Sequence, residues 1–143
     1  MEIKKVVVIG SGTMGSGIAA HLCNANIPVT LLDLKTEISE KARERIYKSK
    51  PPLLLDKSKI NNINTGNIND DFHVVKEADW IVEAVVERID IKHNIYEKIF
   101  KNRKPGAIVS SNTSSIPIKV LSQNLSNEEK KEFCITHFFN PLK

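Results

Sequence analysis

A short run of β-branched residues that stops at a glycine-rich turn constrains the fold of this chain more than any other feature. The run Val6–Ile9 leads into a G-x-G-x-x-G turn, and an apolar segment follows it. This pattern indicates a strand that enters a helix through a loop with few side chains. Gly10 permits the tight turn, Gly12 lets a phosphate approach backbone N–H groups, and Gly15 allows close packing of helix and strand. Since the start of a helix also attracts anions, the pattern predicts a diphosphate-binding turn.

An acidic residue at the end of the next strand-like run adds a second constraint. The apolar stretch 27–32 ends at Asp33, so a carboxylate is expected at the tip of the second strand. There it would accept hydrogen bonds from a ribose diol and repel a 2′-phosphate. The pattern favours NAD over NADP as the ligand. The alternative is a solvated aspartate that only ends a strand.

Composition limits the class of protein. A chain of 143 residues, 41% hydrophobic and 27% charged, is ordinary for one globular domain. It contains no apolar run of the ~18 residues needed to span a membrane, and its N-terminus enters a strand without a secretory signal. The two cysteines, Cys23 and Cys134, fit neither a metal site nor a disulfide framework. We therefore expect a cytoplasmic protein with reduced thiols, no membrane association and no metal.

The charge pattern bears on partners. The formal net charge is +4, but the lysines are scattered between acids along the predicted helix faces. A nucleic-acid-binding protein more often shows a basic stripe with interleaved aromatic residues. We therefore expect no nucleic-acid partner. The surplus of positive charge suits an anionic cofactor or substrate and a plain solvated surface equally well.

Strand-like and helix-like segments alternate along the whole chain. Such alternation predicts an α/β fold with a doubly wound, mostly parallel sheet and right-handed crossovers. A continuous apolar run such as 80–86 is typical of a strand that is buried on both faces. The predicted strands are 3–9, 28–33, 63–66, 80–86, 107–110 and 133–138; the predicted helices are 13–26, 37–49, 70–76 and 87–101, and a serine-rich N-cap at 112–115 precedes Pro117.

Polar clusters follow the predicted strands at the points where they end. Ligands of doubly wound sheets bind at the carboxyl ends of the strands, where the strand order reverses. The clusters are 10–15, Asp33, 83–87, 110–115 and 137–140. Their coincidence with strand ends predicts a Rossmann-type dinucleotide site at one edge of the sheet.

Three further segments are more specific for one protein family than the glycine turn is. They read Trp-Ile-Val-Glu-Ala-Val-Val-Glu at 80–87, Ser-Asn-Thr-Ser-Ser-Ile at 111–116 and Thr-His-Phe-Phe-Asn-Pro at 136–141. With 10–17 and Asp33, in this order, the chain resembles the NAD-binding domain of the 3-hydroxyacyl-CoA dehydrogenases, above all the bacterial multifunctional subgroup. The resemblance implies NAD as cofactor, an acyl-CoA substrate, and hydride transfer between 3-hydroxyacyl-CoA and NAD⁺ in fatty-acid β-oxidation.

The resemblance also implies a catalytic set. His137 matches the family's catalytic base, and Ser114 and Asn140 match residues beside the nicotinamide and the substrate. An imidazole with an ordinary pKa near ~6.5 suits proton transfer in both directions near neutrality. Ser114 and Asn140 can donate hydrogen bonds to the reacting oxygen. The alternatives are a structural histidine at a strand end and a serine that only caps a helix.

The resemblance implies a larger set of cofactor-binding residues. Within it, Glu87 could equally complement a helix dipole, and Lys92 could be a solvated residue on a helix face. His21, His73 and His93 fall within predicted helices and receive no role. The implied set is Gly10, Ser11, Gly12, Thr13, Met14, Gly15, Asp33, Ala84, Val85, Glu87, Lys92, Asn112, Ser114 and Asn140.

The chain departs from the family pattern at its C-terminal end. Family members carry a glutamate beyond the histidine that orients the imidazole, and an all-helical second domain that completes the acyl-CoA cleft and the dimer interface. This chain stops at Lys143. We therefore expect one NAD-binding domain over 1–143, incomplete at its C-terminal end, without the helical domain and with weak turnover or none.

The expected partners follow from the same departure. They are an acyl-CoA in the complete enzyme, and a complementing C-terminal chain or a second copy of this one. Four alternatives stay open: an NAD-binding remnant without turnover, half of a split enzyme, a dehydrogenase of sugar acids or sugar nucleotides, and a non-catalytic association protein. The last would use apolar surface that the helical domain otherwise covers.

Overall fold

The structure, a computed structural model, describes residues 2–138 and shows a six-stranded sheet in which every pairing is parallel. The strand order β3-β2-β1-β4-β5-β6 reverses direction between β1 and β4. The doubly wound sheet expected from the sequence is confirmed. The strands are β1 Val6–Ile9, β2 Val29–Asp33, β3 Ile63–Asn67, β4 Trp80–Glu83, β5 Ile108–Ser111 and β6 Phe133–Ile135.

Helices cover both faces of the sheet. The α-helices are α1 Thr13–Asn24, α2 Thr36–Lys48, α3 Ile89–Asn102, α4 Ile118–Leu121 and α5 Asn127–Lys130, and two 3₁₀ helices span Lys57–Asn62 and Phe72–Glu77. Within residues 2–138, no helix combines the length and the apolarity that crossing a membrane requires.

The central strand β1 separates two hydrophobic cores. Val6 and Val8 pack into one core with side chains from α1 and α2, whereas Val7 and Ile9 pack into the other with side chains from α3. All four side chains are buried. A strand that is covered on both faces has no polar side, which explains why its sequence is continuously apolar rather than alternating.

The glycine turn is as tight as its sequence indicates. Gly10 has a φ of +104°, and a Cβ there would overlap the backbone carbonyl of Ala84, the residue that follows β4. A Cβ on Gly15 would overlap the carbonyl oxygen of Gly10, so this glycine lets α1 start directly against the end of β1. Two of the three glycines are therefore required by the packing of the protein itself.

Strand β4 is shorter than the apolar run predicted. It ends at Glu83 rather than at residue 86, and α3 begins at Ile89 rather than at 87. The last pair with β1 joins Ile9 to Glu83, because the next residue of β1 turns away at Gly10. The Glu83 carboxylate then accepts a hydrogen bond from the N–H of Val85, and Val86 is 60% exposed. An apolar run predicts a strand, but the partner strand decides where it ends.

The predicted last strand, the short helix before β4 and the serine-rich N-cap also differ from the structure. β6 stops at Ile135, because its partner β5 ends at Ser111. The helix expected at 70–76 is a 3₁₀ helix over Phe72–Glu77. The serine-rich segment does not cap α4. The N-cap residue of α4 is Pro117, and no side chain caps this helix.

Candidate functional site

The strand register places the strand ends in one row across the carboxyl edge of the sheet. Each strand makes one more hydrogen bond to its neighbour just beyond its last paired residue. The N–H of Gly10 donates to Leu32 O on β2 (2.8 Å), and the N–H of Ala84 donates to Ile9 O on β1 (2.7 Å). The N–H of Asn112 donates to Glu83 O (2.8 Å) and that of Thr136 to Ser111 O (3.0 Å). In sheet order the row therefore reads Asp33, Gly10, Ala84, Asn112 and Thr136.

The glycine turn leaves an open space at the start of α1. Gly12 is the N-cap of this helix, no side chain caps it, and its first turn contains no acidic residue. A Cβ on Gly12 would find no atom within 4 Å. The start of this 12-residue helix thus has no side-chain cap and is approachable, which fits a phosphate group.

Asp33 lies directly beside this turn. Its Oδ2 accepts hydrogen bonds from the N–H (2.8 Å) and the hydroxyl of Ser11, and its Oδ1 accepts one from the N–H of Leu34 (2.7 Å). The Ser11 carbonyl accepts hydrogen bonds from the Ser16 hydroxyl (2.9 Å) and from Arg45 Nη2 (3.1 Å) on α2. The acid is half-buried and held in place, as the ribose-binding role expected of it requires.

A fully buried carboxylate lies behind the loop that follows β4. Glu83 Oε1 accepts hydrogen bonds from the hydroxyls of Tyr96 (2.5 Å) and Ser111 (2.6 Å). Its Oε2 accepts from Lys92 Nζ (2.6 Å) and from the N–H of Val85 (2.9 Å). Burial raises the pKa of the Tyr96 hydroxyl, and the adjacent Glu83 carboxylate raises it further, so Tyr96 stays a hydrogen-bond donor.

Lys92 joins this carboxylate to Glu87. The Lys92 side chain is 1% exposed, and its Nζ lies 3.1 Å from Glu87 Oε1. Glu87 Oε2 accepts hydrogen bonds from the hydroxyls of Thr113 and Ser115, both at 2.9 Å. Burial raises the pKa of Glu87, but these two hydroxyls and Lys92 lower it more, to about 2. Glu87 is therefore an anion near neutrality, and Lys92 is not a solvated face residue.

The loop after β5 carries Ser114, which is exposed. Its N–H lies 3.4 Å from Glu87 Oε2, so the acid contacts three successive residues of this loop. Asn112 Oδ1 accepts a hydrogen bond from the N–H of Phe138 at 2.9 Å. This contact ties the loop to the segment that follows β6.

His137 lies in that segment and is exposed. The residues on both sides of it are anchored: the Thr136 hydroxyl donates to Ser110 Oγ (2.9 Å), and the N–H of Phe138 donates to Asn112. The structure thus brings His137 to the same edge as the other predicted residues. Asn140 lies outside the described residues.

The roles of Glu83, Tyr96 and Ser111 in the site were not predicted from the sequence. One signal was available, since Glu83 is a single acid inside a continuous apolar run, and such an acid needs buried partners. Lys92 and Tyr96 stand four residues apart, on one face of α3. Nothing local indicates that this face meets Glu83.

Comparisons with known proteins match the chain along nearly all of its length. Residues 5–143 match the family described as "3-hydroxyacyl-CoA dehydrogenase, NAD binding domain". A putative fatty acid oxidation complex trifunctional enzyme of Rickettsia felis is 46% identical over 98% of this chain and 20% of its own length. A probable 3-hydroxyacyl-CoA dehydrogenase of Bacillus subtilis is 40% identical over 99% of this chain and 21% of its own length. The chain thus spans about a fifth of these curated relatives.

Solved structures agree with these matches. The 3-hydroxybutyryl-CoA dehydrogenase of Escherichia coli superposes with a TM-score of 0.86 at 27% identity, over 99% of this chain and 31% of that one. The (S)-3-hydroxybutyryl-CoA dehydrogenase of Ralstonia eutropha gives a TM-score of 0.82 at 29% identity, over 99% of this chain and 51% of that one.

Proposed function

Because this chain belongs to the 3-hydroxyacyl-CoA dehydrogenase family through its NAD-binding domain, we propose that it holds NAD along the carboxyl edge of its sheet for hydride transfer with a 3-hydroxyacyl-CoA. The observation that carries the proposal is the row Asp33, Gly10, Ala84, Asn112 and Thr136, which the strand register sets side by side. A row of strand ends at a reversal of strand order is where dinucleotides bind in such sheets.

Each part of the dinucleotide has a proposed partner in this row. Asp33 would hold the adenosine ribose, and the uncapped start of α1 would hold the pyrophosphate. Lys92 would contribute indirectly, by pairing with Glu87, because the side chain of Lys92 is buried. The pyrophosphate residues are Gly10, Ser11, Gly12, Thr13, Met14 and Gly15, and those of the nicotinamide half are Ala84, Val85, Glu87, Asn112, Ser114 and Asn140.

The chemistry proposed for the protein's own side chains is a proton transfer. His137 takes the proton of the substrate's secondary hydroxyl on a ring nitrogen, and Ser114 and Asn140 donate hydrogen bonds to the oxygen as it becomes a carbonyl. Bound NAD⁺ supplies the acceptor for the hydride that leaves the carbon. The anchors on Thr136 and Phe138 fix the backbone on both sides of His137.

Acyl-CoA binding is proposed for the assembled protein rather than for this domain alone. The chain spans about a fifth of the Rickettsia felis and Bacillus subtilis relatives, whose names are a putative fatty acid oxidation complex trifunctional enzyme and a probable 3-hydroxyacyl-CoA dehydrogenase. We propose residues 1–143 as the NAD-binding domain of such an enzyme. The cleft for the acyl chain would then be completed by residues outside this domain.

Gly12→Ala provides the direct test of NAD binding. Gly12 has φ −68° and ψ −166°, which alanine adopts readily, and the added methyl meets no protein atom. We expect unchanged thermal stability but at least about a tenfold loss of NADH affinity, because the methyl lies where the pyrophosphate would contact the turn. Fluorescence titration with NADH measures the affinity.

Gly106→Ala is the matched control. Gly106 has a φ of +85° in open space, so alanine should lower the stability and leave NADH affinity unchanged. A Gly12→Ala variant with wild-type NADH affinity would contradict the proposed site.

A further inference from the structure

We propose that Glu83 is a positioning residue that sets the two loops of the nicotinamide half and leaves the adenosine half to other contacts. The inference rests on the proposed NAD site. Its basis is the placement of Glu83, which is the last residue of β4 and has a side chain that is 0% exposed.

The four hydrogen bonds that Glu83 accepts come from three separate parts of the chain. One comes from Val85 in its own loop, two come from Lys92 and Tyr96 on α3, and one comes from Ser111 at the end of β5. A buried carboxylate is costly unless it is paired and fully hydrogen-bonded. This carboxylate meets that condition only while the loop, the helix and the strand end keep their present arrangement.

The first consequence concerns the loop after β4. The Val85 N–H turns inward to Glu83 Oε2 and is not available to a ligand. Lys92 reaches the same oxygen and also lies 3.1 Å from Glu87 Oε1. The buried ammonium of Lys92 thus contacts the carboxylates of both Glu83 and Glu87. Glu83 fixes the position of Lys92, and Lys92 in turn fixes the position of Glu87.

The second consequence concerns the loop after β5. Ser111 donates to Glu83, and Thr113 and Ser115 donate to Glu87. Ser114 lies between these contacts and has its N–H turned to Glu87. The contacts that run from Glu83 through Lys92 to Glu87 therefore connect the loop that carries Ser114 to the loop after β4, by hydrogen bonds and ion pairs.

The adenosine half is held by different contacts. Asp33 is fixed by Ser11 and Leu34, and Ser11 is fixed by Arg45 and Ser16. None of these groups hydrogen-bonds to Glu83 or Lys92. Loss of the Glu83 charge should therefore affect the two halves of the site unequally.

Glu83→Gln tests this directly, because it keeps the shape and removes the charge that holds Lys92. Two ligands are titrated by calorimetry: NADH, which spans both halves, and ADP, which lacks the nicotinamide and its ribose. We expect an affinity loss of about tenfold for NADH and less than about twofold for ADP. A purely structural role would weaken both ligands alike.

Two further variants keep the test decisive if Glu83→Gln does not fold. Tyr96→Phe keeps the edge-to-face contact with Phe133 (5.0 Å between ring centroids) and removes one hydrogen bond to Glu83. Ser111→Ala removes another. Each should show the same selective loss for NADH, smaller than that of Glu83→Gln.

Glu132→Gln is the control, because Glu132 pairs with Arg103 at 2.9 Å in the strand connection before β6 and should leave both affinities unchanged. Equal losses for NADH and ADP, or no loss in the Glu83, Tyr96 and Ser111 variants, would overturn the positioning role. A wild-type chain that binds neither ligand would instead refute the proposed function.

Discussion

The carboxylate of Asp33 accepts hydrogen bonds from both the backbone N–H and the hydroxyl of Ser11, so one oxygen atom joins the end of β2 to the glycine turn. The other carboxylate oxygen accepts a hydrogen bond from the N–H of Leu34. The protein's own hydrogen bonds thereby fix the acid beside the glycine turn. A pre-positioned acceptor binds a ribose diol at a lower entropic cost than a mobile one.

Asp33→Asn should weaken NADH binding and reduce the preference for NADH over NADPH. Hydrogen bonds to a charged acceptor contribute roughly 1.5–3 kcal/mol, so we expect at least about a tenfold loss of NADH affinity. The amide no longer repels a 2′-phosphate, so NADPH should lose less. Fluorescence titrations with both cofactors measure the ratio. Glu128→Gln, at an exposed acid on α5, is the control, and an unchanged ratio in Asp33→Asn would contradict the assignment.

Gly10→Ala should destabilise the protein far more than Gly106→Ala. Both positions have positive φ, which costs a non-glycine residue roughly 1–2 kcal/mol. Only at Gly10 does the new Cβ also overlap the backbone of Ala84. Urea denaturation should therefore show a further loss of about 1–3 kcal/mol in the unfolding free energy of Gly10→Ala. Equal losses of unfolding free energy in Gly10→Ala and Gly106→Ala would mean that the glycine turn accommodates a Cβ at residue 10 without further strain.

Glu87 should make the stability depend on pH in acid. Its pKa is about 2 in the folded protein and 4.5 ordinarily, so its contribution is complete above about pH 5. As the pH falls from 4.5 towards 2, the folded and unfolded states bind this proton to different extents and the contribution disappears. The difference in unfolding free energy between wild type and Glu87→Gln should shrink over this window, as measured by denaturation at several pH values. A difference that stays constant down to pH 2.5 would contradict the contacts of Glu87 with Thr113 and Lys92.

The parts of the fold that were predictable depend on local chemistry. Val6–Ile9 reads as a buried strand, Gly10 as a turn, and Asp33 as the end of the next strand, because period and turn residues are local. The end of β4 at Glu83 was missed because it depends on where β1 ends. The burial of Lys92 was missed for a similar reason: a helical lysine is usually solvated, and only the assembled fold supplies its two carboxylates.

His137→Gln separates binding from turnover, because His137 is proposed to move a proton and not to hold the cofactor. NADH affinity should remain unchanged, while the rate of NADH oxidation with acetoacetyl-CoA falls at least about 100-fold, the usual contribution of a positioned acid–base group. Fluorescence titration and the decay of NADH absorbance measure the two quantities. Equal, measurable rates of NADH oxidation in the wild type and in His137→Gln would remove His137 from the mechanism. A wild-type chain that binds NADH without oxidising it would favour the alternative of an NAD-binding domain that is active only within a larger assembly.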